Sequence, residues 1–372
     1  SLWAVRDGWG VLWQRVADDV HPPLYFLLLR GWTLAVGEAP FAVRYLSAGI
    51  ALVALALSYA LGRLFFDRTT ALFALIWLGS SGLWLYYTRE TRMYTLVIAL
   101  AALSFWTYEC WLARPRARTA LLAVALVNGA FLYTHYAAFF LIAAQVIHLL
   151  LVHPRYLPRY FQGALLTALV YLPWVPILLQ QIAARPDGLN QTLIAVNGAI
   201  LNELVDVYTG GLGVLLLLPY LFIAKQRVRQ LPWAKLLLLL LWIAIPPALM
   251  LTINARGIAL YEARYVIGLL PAIALLTAYG IRQVKWQPFA LLLLLCVVSA
   301  NLWSLRWIRP PKPPWQATMH TVVAARQATE PTLFALVEAR GPEHYYANLL
   351  GLQNEWSIDL TPLRHHPDVI QA

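Results

Sequence analysis

Long apolar runs alternate with short polar loops along almost the whole chain. Several of these runs reach the roughly 20 residues that a helix needs to cross a bilayer, and the others come close. The runs lack the two-residue alternation of barrel strands, so they predict membrane-spanning helices. The ten predicted spans are Phe41–Leu61, Thr70–Tyr86, Met93–Leu112, Thr119–Tyr133, Ala137–Val152, Phe161–Gln180, Leu212–Ala224, Leu236–Ile253, Tyr265–Ile281 and Phe289–Leu305.

The composition supports a polytopic membrane protein. Of the 372 residues, 61% are hydrophobic and only 12% are charged, which excludes an ordinary soluble domain. Both cysteines, Cys110 and Cys296, lie in apolar runs, which excludes a disulfide framework and a thiolate metal cluster. The net charge of +11 does not indicate nucleic acid, because in a membrane protein the position of each charge carries the information.

The charged residues divide the loops into two sets. Five alternate loops hold thirteen basic residues and one acid, Asp67, and such loops are expected in the cytoplasm. The opposite loops mix five bases with five acids, and we expect them to face outward. The basic loops are 63–68, 114–118, 155–159, 225–235 and 282–285.

Three domains are predicted. Residues 1–40 form juxtamembrane helices on the outer face, because apolar residues recur at helical spacing up to Val20 and a second short helix starts at Pro22. Residues 41–305 form the transmembrane domain. Residues 306–372 follow a Pro-rich linker as a small soluble α/β module, in which "TLFALVEA" predicts a strand and "GPEHYYANLLG" a helix. Because the chain lacks an initiator Met, we expect a piece of a longer protein, truncated in this module.

Four polar clusters lie in the outward segments. The stretch "LWLYYTRETRMYTL" places Glu90 between two arginines and between two apolar runs. A charged group near a bilayer is costly unless it is solvated, paired or used, so each cluster is a functional candidate. The clusters are Asp18, Asp19 and His21; Arg89, Glu90, Arg92 and Tyr94; His135 and Tyr136; and Glu262, Arg264 and Tyr265.

Each cluster also has a purely structural explanation. Glu90 could form an exposed loop ion pair, which contributes little to stability. Arg264 could hold a helix end at the headgroups, and His135 could be an interfacial side chain bonded to water. Asp19 could belong to the solvated end of the first amphipathic helix. The convergence of four clusters on one face favours function over these explanations.

The ordered motifs "DVHPPLYFLLLRGW", "YYTRETRMYTL", "YTHYAAFFL", "YLPWVPILL" and "ARYVIGLLPAIALLTAYGI" carry a family resemblance. From about Asp18 to Leu305 the chain resembles glycosyltransferase family 39 and related membrane glycosyltransferases of the GT-C class. This group includes protein O-mannosyltransferases and lipid A aminoarabinose transferases. The resemblance implies a GT-C fold, here with about ten transmembrane helices plus juxtamembrane helices.

The resemblance also implies an activity. Such enzymes move a sugar, with inversion, from a polyprenyl-phosphate donor to a glycan, lipid or protein acceptor on the extracytoplasmic face, here of a bacterial inner membrane. Glu90 matches the acid of the family's Glu-x-Arg-x-Tyr motif, although Arg89 stands where Gln is usual. Asp19 is the second catalytic candidate, and the principal catalytic acid is expected upstream of Ser1.

The remaining site residues are predicted to bind substrate. Arg264 matches the family's Arg-Tyr motif and is expected at the lipid phosphate, which arginine binds through a two-pronged fork. A divalent metal is a candidate cofactor, with Glu90 and His21 as its candidate ligands. The predicted substrate-binding residues are His21, Arg92, Tyr94, His135, Tyr136, Arg264 and Tyr265.

Two other functions stay open at this point. A transporter or flippase of lipid-linked sugars would explain the prolines within several runs, but transport sites usually lie at mid-membrane between inverted repeats. Neither mid-span charges nor a repeat is apparent. A catalytically inactive protein that binds the carrier lipid is the second alternative.

Overall fold

The computed structural model describes residues 2–6, 8–183, 231–256 and 262–308, together with positions 206, 208, 321, 324, 332, 333, 357 and 358. The chain divides into two units, residues 1–308 and residues 309–372. The first unit is the helical body that carries the candidate site. In the second unit, two short strands, β1 (Thr332–Leu333) and β2 (Ser357–Ile358), pair in parallel. The helix predicted around "GPEHYYANLLG" lies outside the described residues.

All regular secondary structure in the described part of the first unit is helical. Three 3₁₀ segments, Pro154–Tyr156, Leu172–Trp174 and Ala263–Leu269, join or precede α-helices. The α-helices are α1 (Leu2–Val5), α2 (Trp9–Ala17), α3 (Leu24–Val36), α4 (Pro40–Phe65), α5 (Arg68–Ser80), α6 (Gly82–Tyr87), α7 (Tyr94–Ala113), α8 (Arg118–Leu132), α9 (Ala138–Val152), α10 (Leu157–Tyr171), α11 (Val175–Ala183), α12 (Trp233–Asn254), α13 (Leu270–Arg282) and α14 (Gln287–Ile308).

These helices confirm an all-α polytopic membrane protein. Nine of the ten predicted spans coincide with described helices, and the tenth, Leu212–Ala224, lies outside the described residues. Within the described part, six helical runs are long and apolar enough to cross a membrane. They are Pro40–Phe65, Tyr94–Ala113, Pro154–Ala183, Trp233–Asn254, Ala263–Arg282 and Gln287–Leu305.

Three predicted helices are interrupted, each at a residue with a physical reason. The run from Thr70 to Tyr86 breaks at Ser81, whose ψ of 127° is extended, within a Gly-Ser-Ser-Gly sequence of weak helix formers. The run from Phe161 to Gln180 tightens to a 3₁₀ turn at Pro173, which cannot donate a backbone hydrogen bond. The amphipathic segment before Val20 divides at Gly8, whose φ is 97°.

Helix α7 lies at the centre of the bundle. Most of its side chains are buried, and it packs against α4, α6, α8, α9 and α13. Close packing depends on small residues at some crossings. A Cβ added to Gly62 of α4 would lie 2.9 Å from the Cβ of Ala71 and 2.8 Å from Leu275 Cδ2. Helices α4, α5 and α13 therefore approach closely only because position 62 lacks a side chain.

A buried polar network joins four of the helices. Gln145 Nε2 of α9 donates to Ser104 Oγ of α7 at 2.7 Å, and Gln145 Oε1 accepts from Tyr160 Oη at 2.9 Å and from Asn128 Nδ2 at 3.3 Å. Ser104 Oγ in turn donates to Asn128 Oδ1 at 2.6 Å. Because hydrocarbon offers no alternative partners, these bonds fix the relative positions of α7, α8, α9 and α10.

A second set of polar contacts holds the start of α12. His148 bonds to Tyr108 Oη through Nδ1 at 2.9 Å and to the carbonyl of Ala234 through Nε2 at 2.9 Å. The next residue, Lys235, donates from Nζ to the carbonyls of Leu64 and Phe65 at 2.9 and 3.0 Å. The first turn of α12 is thereby held against α9 and the end of α4.

The basic loops meet at one end of the bundle, as the charge pattern predicts. Lys235 reaches the end of α4, which precedes the 63–68 loop. Arg159 donates to the carbonyl of Arg116 at 2.8 Å, and the charge of Arg282 reaches Asp67. We call this the basic end and the opposite one the acidic end. All four predicted site clusters lie at the acidic end.

We expect Gln145→Leu to lower the free energy of unfolding by about 1 to 2 kcal/mol, because Ser104, Asn128 and Tyr160 each lose a buried partner. The measurement is the thermal unfolding midpoint of the purified protein in detergent. Gln162→Leu is the matched control, because Gln162 lies on the exposed face of α10. Equal midpoints for the two variants would contradict a stabilising role for the network.

Candidate functional site

The segment between α2 and α3 carries a carboxylate–imidazole pair. Asp19 Oδ1 accepts from His21 Nδ1 at 2.7 Å and from the backbone N–H of Val20 at 2.6 Å. The His21 side chain is only 11% exposed, and that of Asp19 is 30% exposed. Pro22 and Pro23 follow at once and start α3, so the imidazole stands on a rigid turn. The pair has a defined geometry at the acidic end.

The connection between α8 and α9 places His135 beside this pair. The backbone N–H of Leu24 donates to the carbonyl of Tyr133 at 2.9 Å, which ties the two segments together. The backbone N–H of Ala137 donates to His135 Nδ1 at 3.1 Å. Among the residues that the structure describes, buried His135 Nε2 has no hydrogen-bond partner. The ring of His135 is therefore oriented by the backbone of its own loop.

Aromatic rings surround His135. The centroids of the His21, Tyr94 and Tyr265 rings lie 5.8, 6.4 and 5.3 Å from that of His135. Tyr94 also packs against Tyr87, with centroids 4.3 Å apart. Residues from four different chain segments thus form one aromatic cluster around a buried imidazole.

The "TRETRM" turn supplies charge to this cluster. It joins α6 to α7, and the backbone N–H of Glu90 donates to the carbonyl of Tyr87 at 3.2 Å. The Glu90 carboxylate interacts with Tyr86 through a side-chain hydrogen bond. The charge of Arg92 reaches Asp19 and Tyr25. Both residues therefore lie within electrostatic reach of the aromatic cluster.

Arg264 approaches the cluster from the 3₁₀ segment that precedes α13. Its Nη2 bonds to Glu262 Oε2 at 2.5 Å, and its guanidinium carbon lies 5.6 Å from the Tyr265 ring centroid. The side chain remains 45% exposed. Its charge reaches Tyr94 and His135. A partly exposed guanidinium beside buried rings is suited to binding an anion from the membrane surface.

The structure brings most of the predicted site residues together. Asp19, His21, Tyr94, His135 and Tyr265 are linked by direct hydrogen-bond or ring contacts. Glu90, Arg92 and Arg264 surround them at electrostatic range. The catalytic and binding roles of these residues stay predictions.

Tyr136 is placed differently. Its hydroxyl bonds to Gln181 Oε1 and accepts from Trp174 Nε1 at 3.1 Å, so both of these contacts lead to the segment around α11. Gln181 Nε2 in turn donates to the carbonyls of Val16 and Ala17 at 3.2 and 3.1 Å. This geometry gives Tyr136 a part in holding the end of α2, and its predicted contact with substrate stays a prediction.

Sequence reasoning missed several neighbours of the site. Tyr25, whose hydroxyl bonds to Ser47 Oγ at 3.0 Å, lies within reach of Arg92 and Glu90. Tyr86 and Tyr87 precede the "TRETRM" turn and contact each other, with centroids 5.0 Å apart. Their closeness to Glu90 in the sequence could have predicted this position, because one helical turn separates Tyr86 from Glu90. No sequence signal connects Gln181 with Tyr136, 45 residues away.

Burial and charge control the ionisation of two groups in the site. Burial raises the pKa of the Asp19 carboxyl, but the hydrogen bond and charge of His21, the Val20 N–H and the charge of Arg92 outweigh it. The pKa of Asp19 therefore lies below its usual value. Burial, aided by the charges of His21 and Arg264, lowers the pKa of His135 to about 3. Near neutral pH, Asp19 is ionised and His135 is neutral.

Comparison with known proteins gives a partial family match and a shared fold. Residues 20–179 match the sequence model of a family described as dolichyl-phosphate-mannose-protein mannosyltransferase. The structure is similar to that of ArnT from Cupriavidus metallidurans bound to undecaprenyl phosphate, with a TM-score of 0.60. The two share 13% identity over 88% of this chain and 74% of that one. The family model covers less than half of the chain, and the structural likeness establishes the fold that the chain shares with ArnT.

A second similar structure is the archaeal oligosaccharyltransferase AglB from Archaeoglobus fulgidus, in complex with an inhibitory peptide and a dolichol-phosphate. Its TM-score is 0.53, with 11% identity over 88% of this chain and 51% of AglB. At such identities the likeness establishes the fold. No curated protein sequence matches the chain. These findings do not favour the transporter or the inactive lipid-binding protein.

We expect Asp19→Asn to destabilise the protein at neutral pH, because the ionised carboxylate bonds His21. Folding lowers the pKa of this carboxyl group, so its ionised form stabilises the folded state. This contribution is fully present at pH values above the unfolded pKa of about 3.9, and it is lost as the pH falls through the folded pKa. The difference in unfolding midpoint between variant and wild type should therefore shrink below about pH 4. Circular dichroism in detergent at several pH values measures it.

Asp18→Asn is the matched control for that experiment, because Asp18 is the adjacent, exposed carboxylate. Its effect should be small at every pH. A midpoint difference for Asp19→Asn that stays constant from neutral to acid pH would contradict the ionised pair.

Proposed function

We propose that the acidic-end site transfers a sugar, with inversion, from a polyprenyl-phosphate donor to a hydroxyl of a glycan, lipid or protein acceptor on the extracytoplasmic face. One observation carries the proposal. Two carboxylates, two arginines and a set of aromatic and imidazole rings converge beside the juxtamembrane helices. Anionic lipid and polar acceptor can meet there without crossing the hydrocarbon core.

Arg264 and Arg92 are assigned to the donor phosphate. Glu262 bonds to one Arg264 nitrogen, Nη2, and orients the guanidinium, whose five N–H groups leave further donors for a phosphate oxygen. Both arginines are exposed at the site, and an arginine stays charged whether or not lipid is bound. Positive charge at this position stabilises the phosphate as it leaves the sugar.

The carboxylates are assigned to the acceptor side of the reaction. A hydroxyl that attacks the anomeric carbon must lose its proton, and a positioned carboxylate can accept it directly or through a bonded side chain. Glu90 lies half-buried on the "TRETRM" turn, and Asp19 bonds to His21. Two ionisable acids therefore lie beside the rings and arginines at which the donor is proposed to bind.

A metal ion enters this proposal only as a candidate. Glu90 and His21 are the suggested ligands, but within the described residues no group of three or more His, Cys, Asp or Glu side chains is placed to hold a metal. A crystal structure of the Archaeoglobus fulgidus oligosaccharyltransferase contains Zn, and it shares 13% identity with this chain. Because the donor set here is incomplete, no step of the proposed reaction is assigned to a metal.

The charge distribution supports the proposed side of the membrane. The basic loops gather at one end of the bundle and the site at the other, so the positive-inside rule assigns the site to the extracytoplasmic face. For a bacterial inner membrane this face is the periplasm. A donor on a polyprenyl carrier, rather than a nucleotide sugar, fits that compartment.

Cysteine accessibility tests the assigned side. In a Cys110→Ser, Cys296→Ser background, we expect a membrane-impermeant maleimide to label Arg89→Cys in intact cells and Arg116→Cys only after the membrane is opened. Both arginines are exposed, and they lie at opposite ends of the bundle. Labelling of Arg116→Cys, but not of Arg89→Cys, in intact cells would reverse the orientation.

Transfer of labelled sugar from undecaprenyl-phosphate mannose in membranes tests the site itself. We expect Glu90→Gln and Arg264→Ala to lower kcat/KM by about 100-fold or more, because each removes a charge that acts on the reacting groups. Arg264→Lys should recover only part of the activity, since an ammonium lacks the guanidinium fork.

Arg68→Ala is the control for the arginine variants, because Arg68 is exposed at the basic end and far from the site. It should transfer at the wild-type rate. Full activity in Glu90→Gln and Arg264→Ala, with normal protein levels, would show that neither residue takes part in transfer. This result would contradict the proposed site.

A further inference from the structure

The turn that carries Asp19 and His21 follows a helix that is too short to be stable by itself. Helix α2 has nine residues, and isolated helices shorter than about 12 to 15 residues are marginal in water. Contacts with other segments must therefore fix its last turn. Beyond the turn, the Leu24 N–H donates to the carbonyl of Tyr133 at 2.9 Å, which holds that side. The side that adjoins α2 has a separate support.

Gln181 of α11 provides this support. Its Nε2 donates to the carbonyls of Val16 and Ala17 at 3.2 and 3.1 Å. These carbonyls belong to the last turn of α2, where the helix itself supplies no partners. The carbonyl of Val16 also accepts from the backbone N–H of Asp19 at 3.3 Å. Gln181 therefore bonds the same carbonyl as the backbone of the catalytic candidate.

Tyr136 sets the orientation of the Gln181 amide. The Tyr136 hydroxyl donates to Gln181 Oε1 and accepts from Trp174 Nε1 at 3.1 Å. A carbonyl oxygen only accepts, so the amide nitrogen must face α2 and the amide oxygen must face the hydroxyl. Tyr136 and Tyr133 both belong to the connection between α8 and α9. This one connection therefore holds the turn from both sides, directly through Tyr133 and through Gln181.

Core packing does not explain the position of Gln181. None of the side chains of α11, a helix that the structure describes from end to end, is fully buried. Gln181 is half-buried, and the neighbouring Gln180 is exposed. Hydrogen bonds, rather than apolar contacts, determine where this amide lies. We propose that Gln181 is a positioning residue that, oriented by Tyr136, holds the Asp19–His21 turn in the geometry needed for transfer.

This inference rests on the proposed function and adds a residue from outside the four polar clusters to it. A displacement of about 1 Å at a reacting group can lower the rate by roughly 100-fold. Arg92 and Arg264, which are assigned to the donor phosphate, lie on other segments of the chain. Loss of the Gln181 bonds should therefore lower kcat and leave the KM for the donor nearly unchanged.

Two substitutions of Gln181 separate hydrogen bonding from packing. Methionine nearly matches glutamine in length but has no N–H, whereas lysine differs in shape and keeps N–H donors that suit the carbonyl end of a helix. In the transfer assay with full-length protein, we expect Gln181→Met to lower kcat per folded protein by roughly 10- to 100-fold, with the donor KM changed by at most about 3-fold. Gln181→Lys should recover at least about 3-fold of that loss.

Two further variants complete the set. Gln180→Met is the matched control, because Gln180 is the adjacent exposed glutamine, and it should transfer at the wild-type rate. Tyr136→Phe should lower kcat less than Gln181→Met does. In the double variant it should add at most about 2-fold, because the two side chains act through one set of bonds.

Hydrogen–deuterium exchange of the purified full-length protein measures the position of the turn without reference to activity. Gln181→Met should speed exchange in the peptide that covers residues 16–21, because the end of α2 opens more readily when its carbonyls lose a partner. Gln181→Lys should slow it again. Peptides from α7 should exchange as in the wild type, since α7 lies in the core.

The outcomes separate the inference from the proposed function. Absence of transfer by folded wild-type protein from undecaprenyl-phosphate mannose, glucose and galactose would overturn the proposed function, and with it this inference. Normal wild-type transfer with an unchanged kcat in Gln181→Met would overturn the inference alone. Equal losses in Gln181→Met and Gln181→Lys, with unchanged exchange at residues 16–21, would also overturn it. Recovery by lysine, together with faster exchange in Gln181→Met, would support it.

Discussion

The cost of an unpaired polar group in hydrocarbon determines how polar side chains are paired, both at mid-bundle and at the acidic end. At mid-bundle, Gln145 uses both its oxygen and its amide nitrogen on Ser104, Asn128 and Tyr160, and the helices that carry these residues are fixed with respect to one another. At the acidic end, His135 is oriented by its own loop, and its Nε2 has no partner in the described part of the chain. The same physical constraint explains why the first group stabilises the fold and why the second is suited to binding.

Rigidity at the site depends on contacts that lie outside it. The Leu24–Tyr133 backbone bond fixes the distance between the two histidine segments, and Gln181 joins α11 to the end of α2. At the basic end, His148 and Lys235 hold the first turn of α12, while Trp242 Nε1 donates to the carbonyl of Gly268 at 3.0 Å. The segment that carries Arg264 therefore precedes a helix packed against a fixed neighbour. Precise placement of polar groups requires such supports.

Much of the fold could be predicted from the sequence, because bilayer thickness and backbone satisfaction leave few options for an apolar run. The same reasoning could not locate the break at Ser81, where four weak helix formers outweigh the apolar pattern. It grouped Glu90, Arg264, His135 and Asp19 by their common membrane face. It could not find Tyr25, or the engagement of Tyr136 by Gln181, since these contacts join residues distant in sequence. Contacts between side chains on different helices produce no periodic pattern in the sequence.

The division of labour within the site follows from the kinds of hydrogen bond that each group can make. Guanidinium groups only donate, so Arg92 and Arg264 suit a phosphate, which only accepts. Ionised carboxylates only accept, so Glu90 and Asp19 suit a hydroxyl that must lose its proton. An imidazole does both, and its surroundings decide which nitrogen does which. Asp19 accepts from His21 Nδ1, and the Ala137 N–H donates to His135 Nδ1, so the two imidazoles are oriented by different partners.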